Sequence, residues 1–275
     1  MEPKQAPEIG DLRHYAVFAA EAARAAGAVL RDRFGRPHDI RFKGTVDMVT
    51  EADRAAEALI AAMIRARYPD HGLLGEEGAR GAETASAFRW VVDPLDGTTN
   101  FAHDLPHFAV SIGLEHRGEP VVGAVYDPLR DELFLGVLGQ GATLNGTPLR
   151  VSATDDLLRS LLVTGFSYDF ARRPRQAELW RRFLIRVQAI RQTGSAALNL
   201  CYVAAGRLDG YWERGIAPWD VSAGAVVVRE AGGAVTDFAG RPFRSDDRVV
   251  LASNGRLHGA MMDLIDQFER EASSD

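Results

Sequence analysis

The stretch 90–101, WVVDPLDGTTNF, limits what this chain can fold into more than any other. Trp90, Val91 and Val92 form an apolar run that reads as a buried strand. It leads into Asp93 and Asp96, then Gly97, Thr98 and Thr99. Alone, Asp-Pro-Leu-Asp-Gly is ordinary turn chemistry. At the end of a buried strand, however, two unpaired carboxylates carry a large desolvation cost, so a positive group is expected beside them. Hard oxygen ligands suit Mg²⁺ or Mn²⁺ better than zinc, which usually takes His or Cys, and the Leu95 carbonyl can join the two aspartates. Gly97, Thr98 and Thr99 can open a short helix whose free N–H groups attract phosphate. Metal-binding aspartates beside an anion pocket point to phosphoryl transfer.

Upstream of this motif the pattern is helical. Leu12, Tyr15, Ala19, Ala22, Ala26 and Val29 fall on one face of a helix over 11–34, stopped by Gly35. Thr50 and Asp53 form a capping-box pattern that starts a second helix, and Pro69 ends it. Downstream, FAVSIGLEH, VVGAVYDP, ELFLGVLG and TLNGTPLRVS read as an antiparallel meander over 108–152. Beyond Ala153 strands and helices alternate. LLVTGFSYD, 189–193, GYWERG and VVLASN are strands, and 176–187, 196–205, 219–231 and 257–271 are helices. The expected organisation is an α+β half, 1–154, followed by an α/β half, 155–275, without a marked linker.

Composition narrows the class. A chain of 275 residues with 46% hydrophobic residues can bury one large core or two fused halves. The net charge of −6 argues against a general nucleic-acid binder. A single cysteine, Cys201, excludes an intrachain disulfide and fits a reducing compartment. No apolar run reaches membrane-spanning length, and MEPKQAPEIGDLRHY does not read as a secretory signal, so the expected location is the cytoplasm.

Other acids can complete the ligand set. GLLGEEG puts Glu76 and Glu77 at a strand end, and APWDVSAG puts Asp220 at a helix start. Each alone is more often a solvated acid or, for Asp220, a helix cap. Together with Asp93 and Asp96 they are either dispersed or gathered around cations.

These motifs resemble the inositol monophosphatase family of magnesium-dependent, lithium-sensitive phosphatases, in its bacterial form. The match runs through VDMVTEAD, GEE, WVVDPLDGTTNF, GSAALNLCYVAAGRLDGYWERG and PWDVSAGAVVVREAGG, in the family's order. The resemblance implies a five-layered αβαβα sandwich with the site where the halves meet. It implies two to three Mg²⁺ ions, for which Mn²⁺ can substitute. Glu76, Asp93 and the Leu95 carbonyl would hold the first, and Asp93, Asp96 and Asp220 the second, with Glu76 and waters at a looser third. Gly97 and Thr98 would cradle phosphate. Asp96, Gly194, Ser195, Ala196 and Glu213 would contact the substrate hydroxyls. Asp47 and Thr98 would form a dyad orienting the attacking water, Lys43 would complete the metal site, and Glu76 is an alternative base. Ser195 and Ser222 replace a frequent threonine and a common alanine of the family.

The implied reaction is in-line attack of metal-activated water on a phosphate monoester, with myo-inositol monophosphate the leading substrate. GTTNF and Glu213 favour it over fructose 1,6-bisphosphate, NADP(H) or histidinol phosphate. The family also implies a homodimer. A contrasting reading rests on the basic segment 171–186, ARRPRQAELWRRFLIR, as the RNA or transcription-complex surface of a regulatory module. A solvated helix face is the plainer interpretation. His103 and His107 read as surface-loop residues because Pro106 lies between them, and Tyr202, Tyr211, Trp212 and Trp219 as core.

Overall fold

A computed structural model describes residues 10–36, 40–81 and 86–271. In chain order the elements are α1 (Arg13–Arg33), β1 (Arg41–Phe42), β2 (Met48–Val49), α2 (Glu51–Arg67), β3 (Gly72–Gly75) and β4 (Phe88–Asp96). Then come α3 (Thr98–Ala102), β5 (Ala109–His116), β6 (Glu119–Asp127), β7 (Glu132–Val137), β8 (Gly141–Leu144) and β9 (Thr147–Pro148). The rest comprises β10 (Leu161–Thr164), α4 (Arg173–Leu184), β11 (Ala189–Arg191), α5 (Ala196–Ala204), β12 (Gly210–Arg214), α6 (Pro218–Glu230), β13 (Ala234–Thr236), β14 (Val249–Ser253) and α7 (His258–Glu271).

Two sheets organise the molecule. Seven strands run in the order β3-β4-β5-β6-β7-β8-β9, and five in the order β11-β10-β12-β14-β13. The layers are α1 and α2, the larger sheet, α5 and α6, the smaller sheet, then α4 and α7. This is the expected αβαβα sandwich. Three apolar clusters fill the gaps between layers, with Trp90 in the first, Cys201 in the second and Trp212 in the third.

Local chemistry explains most boundaries. The Asp53 carboxylate accepts from the Thr50 N–H at 2.8 Å while the Thr50 hydroxyl accepts from Ala52 N–H at 3.1 Å, and α2 starts there. Helix α4 begins three residues earlier than expected, because Pro174 is tolerated in a first turn and forms part of the helix rather than preceding it. The strand expected over LLVTGFSYD is only Leu161–Thr164. Its pairing with β12 ends at Thr164, opposite Trp212, and a Cβ at the next residue, Gly165, would lie 2.1 Å from Glu213 Oε2.

The contact between the larger sheet and α6 depends on a row that no single strand reveals. Gly113, Gly123 and Gly136 lie side by side on β5, β6 and β7, in register. A Cβ at Gly123 would stand 2.1 Å from the Ala223 carbonyl oxygen, and one at Gly136 2.9 Å from Val227 Cα. The row forms a trough in which the α6 backbone lies directly on the sheet. That close approach fixes the start of α6, where Asp220 sits.

Candidate metal and phosphate site

Strand register assembles the acids. β3 runs parallel to β4 with Gly75 opposite Val92, so the next residues, Glu76 and Asp93, fall side by side, and Glu76 N–H donates to the Val92 carbonyl at 3.1 Å. β5 runs antiparallel to β4 with Ser111 opposite Asp93. The Ser111 hydroxyl donates to the Trp219 carbonyl at 3.1 Å, which draws the first turn of α6, and so Asp220, toward Asp93. Asp93, Asp96 and Asp220 each bring a carboxylate oxygen within 4.8 Å of the others.

This crowding has electrostatic consequences. Burial, then the charges of Glu76, Asp96 and Asp220, push the Asp93 carboxyl well above its usual range. Burial, then Asp96 and Glu76, do the same to Asp220. Burial raises Glu76 to about 7 despite the opposing pull of Lys43. Such a cluster needs protons or cations, and an all-oxygen donor set suits a hard divalent ion. The residues therefore fit the metal that the sequence implied.

Asp96 is held differently. Ser195 Oγ and the Ala197 N–H, the latter at 2.8 Å, donate to its Oδ2, and the Ala196 N–H donates to Oδ1 at 3.2 Å. Its carboxylate thus caps the start of α5 from another element. Burial raises it to about 6, against the pull of these donors. Ser195 and Ala196, expected to meet substrate, both line the cleft but spend these donors on Asp96. Gly194, with φ of 87°, also lines it. Asn100 Nδ2 donates to the carbonyls of His107 (2.7 Å) and Thr193 (2.8 Å), tying the loop before α5 to the motif around Asp96.

Gly97 has φ of 100°, in the left-handed region, and leads into the short α3. The Leu95 carbonyl accepts from Thr98 Oγ1 at 3.0 Å. The other acceptor of Thr98 Oγ1 is Asp53 Oδ1, at 3.0 Å. The partnership expected of Asp47 is therefore taken by Asp53. Asp47 sits in the turn between β1 and β2, whereas the capping box places buried Asp53 against α3. The sequence signal was present in VTEAD, but the capping pattern accounted for Asp53 locally and left nothing to point elsewhere.

Lys43 Nζ pairs with Glu76 at 3.0 Å and also contacts Glu77. Burial lowers its basicity, but the two glutamates outweigh that and raise it overall. Glu57, unnoticed in the sequence, is buried and accepts from the Glu77 and Ala79 N–H groups, both at 2.8 Å, which shapes the loop carrying Glu76. Glu213 accepts from Tyr211 Oη at 2.7 Å, is raised by burial to about 7, and lines the cleft beside Asp96 and Asp220. The cleft has a volume of about 670 Å³.

His103 and His107 do not join the acids among the described residues. The basic segment is largely neutralised. Arg172 pairs with Asp169, Arg175 with Glu269, Arg181 with Glu178, and Arg182 with Glu178 and Glu271.

A model described as the inositol monophosphatase family matches residues 11–270. An inositol-1-monophosphatase of Synechocystis is 48% identical over 250 residues, covering 90% of this chain and 87% of the relative. A Nus factor SuhB of Pasteurella multocida is 47% identical over 240 residues, covering 86% of this chain and 90% of the relative. The solved inositol monophosphatase of Anabaena superposes with a TM-score of 0.84 at 45% identity, over 94% of this chain and 97% of that one.

Proposed function

The chain belongs to the inositol monophosphatase family, whose members are metal-dependent phosphatases, and from that premise we propose that it hydrolyses a small phosphate monoester with Mg²⁺, myo-inositol monophosphate foremost. The convergence of Asp93, Asp96 and Asp220 from two distant segments carries this reading. We assign Asp93, Asp96, Asp220, Glu76 and the Leu95 carbonyl to two or three Mg²⁺ ions. Bound there, magnesium would offset charge on the phosphate and on the departing alcohol oxygen.

The chain's own groups do the rest. The backbone at Gly97 and Thr98 would hold the phosphate. Asp53 accepts the Thr98 hydroxyl proton, so the threonine oxygen presents a lone pair that can orient a water and draw its proton. The water oxygen bonds to phosphorus as the ester P–O bond breaks in line, and the alcohol leaves with a proton. Glu213 and Gly194 face the substrate hydroxyls from the 155–275 half. Lys43 holds the Glu76 loop in reach. A cytoplasmic homodimer belongs to the same reading, and sedimentation tests the dimer.

The regulatory alternative takes its support from the SuhB relative's name. Its electrostatic basis is weak, because carboxylates pair with four of the arginines in the basic segment. The test is phosphate release from a panel of monoesters with Mg²⁺, with and without Li⁺, on the native chain and on Asp93→Asn. The native chain is expected to turn over and to be inhibited by Li⁺, and a folded Asp93→Asn variant to be inactive. Mg²⁺-dependent turnover by Asp93→Asn would refute the assignment.

A further inference from the structure

Behind the cleft lies a second cavity, of about 200 Å³, lined from α4, α7 and β12. Its apolar walls come from four places: Leu179 on α4, Trp212 on β12, Phe268 on α7 and Phe238 in the loop after β13. Leu179, Trp212 and Phe268 are buried, so the cavity reaches into the third apolar cluster. A cavity of about 150 Å³ admits benzene, and this one has room for a single ring with a small substituent. Three aromatic side chains around it favour a flat partner.

The polar edge selects the charge of that substituent. Arg175 and Arg214 both line the cavity, and both pair with one carboxylate, Glu269, at 2.6 and 2.7 Å. Each guanidinium also lies over a ring, Arg175 over Phe268 and Arg214 over Phe238. Arg172, the third cation in the lining, pairs with Asp169. Three guanidiniums thus share two partner carboxylates, and the unbalanced positive charge sits beside aromatic faces, where a carboxylate gains charge-assisted hydrogen bonds.

A single wall separates this cavity from the cleft. Gly165 and Glu213 line both. Gly165 adds no side chain to that wall, and a Cβ there would lie 2.1 Å from Glu213 Oε2. Glu213, the one acid in the lining, is the group assigned above to the substrate hydroxyls. An anion seated behind it repels its carboxylate and displaces it from the position that meets substrate.

We propose that this cavity is a regulatory site for a small aromatic carboxylate, with the ring against Trp212 and Phe268 and the carboxylate at Arg175 and Arg214, and that its occupant weakens substrate binding through Glu213. The regulation rests on the phosphatase reading, whereas the ligand site stands without it. Coupling of this kind is reciprocal, so bound substrate weakens the aromatic acid by the same factor.

Benzoate is the probe, with benzamide as a ring without charge and acetate as a charge without a ring. Binding to the whole chain with Mg²⁺ is read by ligand-observed NMR, and regulation by phosphate release from myo-inositol 1-phosphate. Benzoate should bind with a Kd of about 1 mM, the scale for so small a ligand, and about 10-fold more tightly than either control. Saturating benzoate should raise KM about fivefold to a plateau and leave kcat unchanged, because none of the assigned magnesium ligands lines this cavity. Arg175→Gln should weaken benzoate about 10-fold, and Leu179→Phe, which fills the cavity, should abolish its binding. Both variants should turn over substrate at the native rate without benzoate, and exposed Arg175 keeps the test open if the core variant misfolds. Inhibition that climbs without a plateau and survives Arg175→Gln places benzoate at the metal site and overturns the proposal. Equal binding of either control, or no benzoate binding well above the expected Kd, overturns it as well. Binding that both variants remove, with no change in KM, refutes the regulation. Failure of the native chain to release phosphate overturns the phosphatase reading, while the NMR titration still decides the cavity.

Discussion

Asp53→Asn separates two candidate partners of Thr98 and isolates chemistry from folding. The native carboxylate takes three donors. Thr50 N–H and Thr50 Oγ1 reach Oδ2 at 2.8 and 2.6 Å, and Thr98 Oγ1 reaches Oδ1 at 3.0 Å. Asparagine can keep its one oxygen on the Thr50 side, which preserves most of the cap, so the NH₂ must face Thr98. The threonine hydroxyl then turns wholly to the Leu95 carbonyl, 3.0 Å away, and its oxygen accepts from the amide. The lone pair that would orient water is thereby occupied. For folding, the loss of charge in the first turn of α2 amounts to about 0.3–1 kcal/mol. Burial already raises the Asp53 carboxyl, so replacing it with a neutral amide offsets part of that loss. For catalysis, loss of a positioned proton acceptor is expected to lower kcat by about 10²- to 10⁴-fold. Asp47→Asn, in the β1–β2 turn, should change kcat by about twofold, equivalent to the roughly 0.5 kcal/mol typical of surface changes. The assay is steady-state phosphate release alongside thermal unfolding of both variants. If Asp47→Asn loses as much activity as Asp53→Asn, or Asp53→Asn turns over normally, the Thr98–Asp53 reasoning fails.

Two further outcomes follow from the same geometry. Glu76 and Glu213 rise from 4.5 to about 7 and Asp96 from 3.8 to about 6, mainly through burial, so folding favours their protonated forms. The metal-free chain holds that stability at low pH and loses it as pH climbs through 6 to 7, while Mg²⁺ restores it by binding the ionised acids. The gap in melting temperature between Mg²⁺ and EDTA samples should widen from pH 5 to 8, and a constant gap would contradict the linkage. Separately, Gly123→Ala drives a Cβ to 2.1 Å from the Ala223 carbonyl and should destabilise the fold by about 1–3 kcal/mol or more, lowering activity by displacing Asp220. Gly259→Ala, in α7 with nothing within 4 Å, should stabilise by about 0.4–1 kcal/mol, and chemical denaturation distinguishes the two.

The layers were legible because each rests on a local signal. Period-3.6 apolar spacing marked α1 and α2, the meander showed β-rich segments between turns, and the alternating second half announced its own sheet. Boundaries were missed where tertiary contact decided them. β10 ends at Thr164, the last residue that pairs with β12, opposite Trp212 nearly fifty positions away. β1, β2 and β13 have only two, two and three residues, too few for a period to appear. The glycine trough was likewise invisible, since Gly113, Gly123 and Gly136 each look like an isolated weakness within a strand until register aligns them.

Site residues divide on the same principle. Asp93, Asp96 and Asp220 were conspicuous because each stood where a buried element began or ended, and a buried charge without a partner demands explanation. Asp53 gave no such alarm, since the capping box had already explained it. Yet the carboxylate has two oxygens: Oδ2 serves the helix and Oδ1 is left for Thr98. Glu57 repeats the pattern, a helical acid on α2 whose two oxygens are spent on the N–H groups of Glu77 and Ala79. Arg173 shows the converse: in a segment crowded with arginines it was unremarkable, and it became distinctive only when the structure paired its neighbours with carboxylates and set it in the lining of the cleft. A local role that consumes only part of a side chain's hydrogen-bonding capacity is thus where sequence reasoning stops early, and counting the unused donors and acceptors is what reopens it.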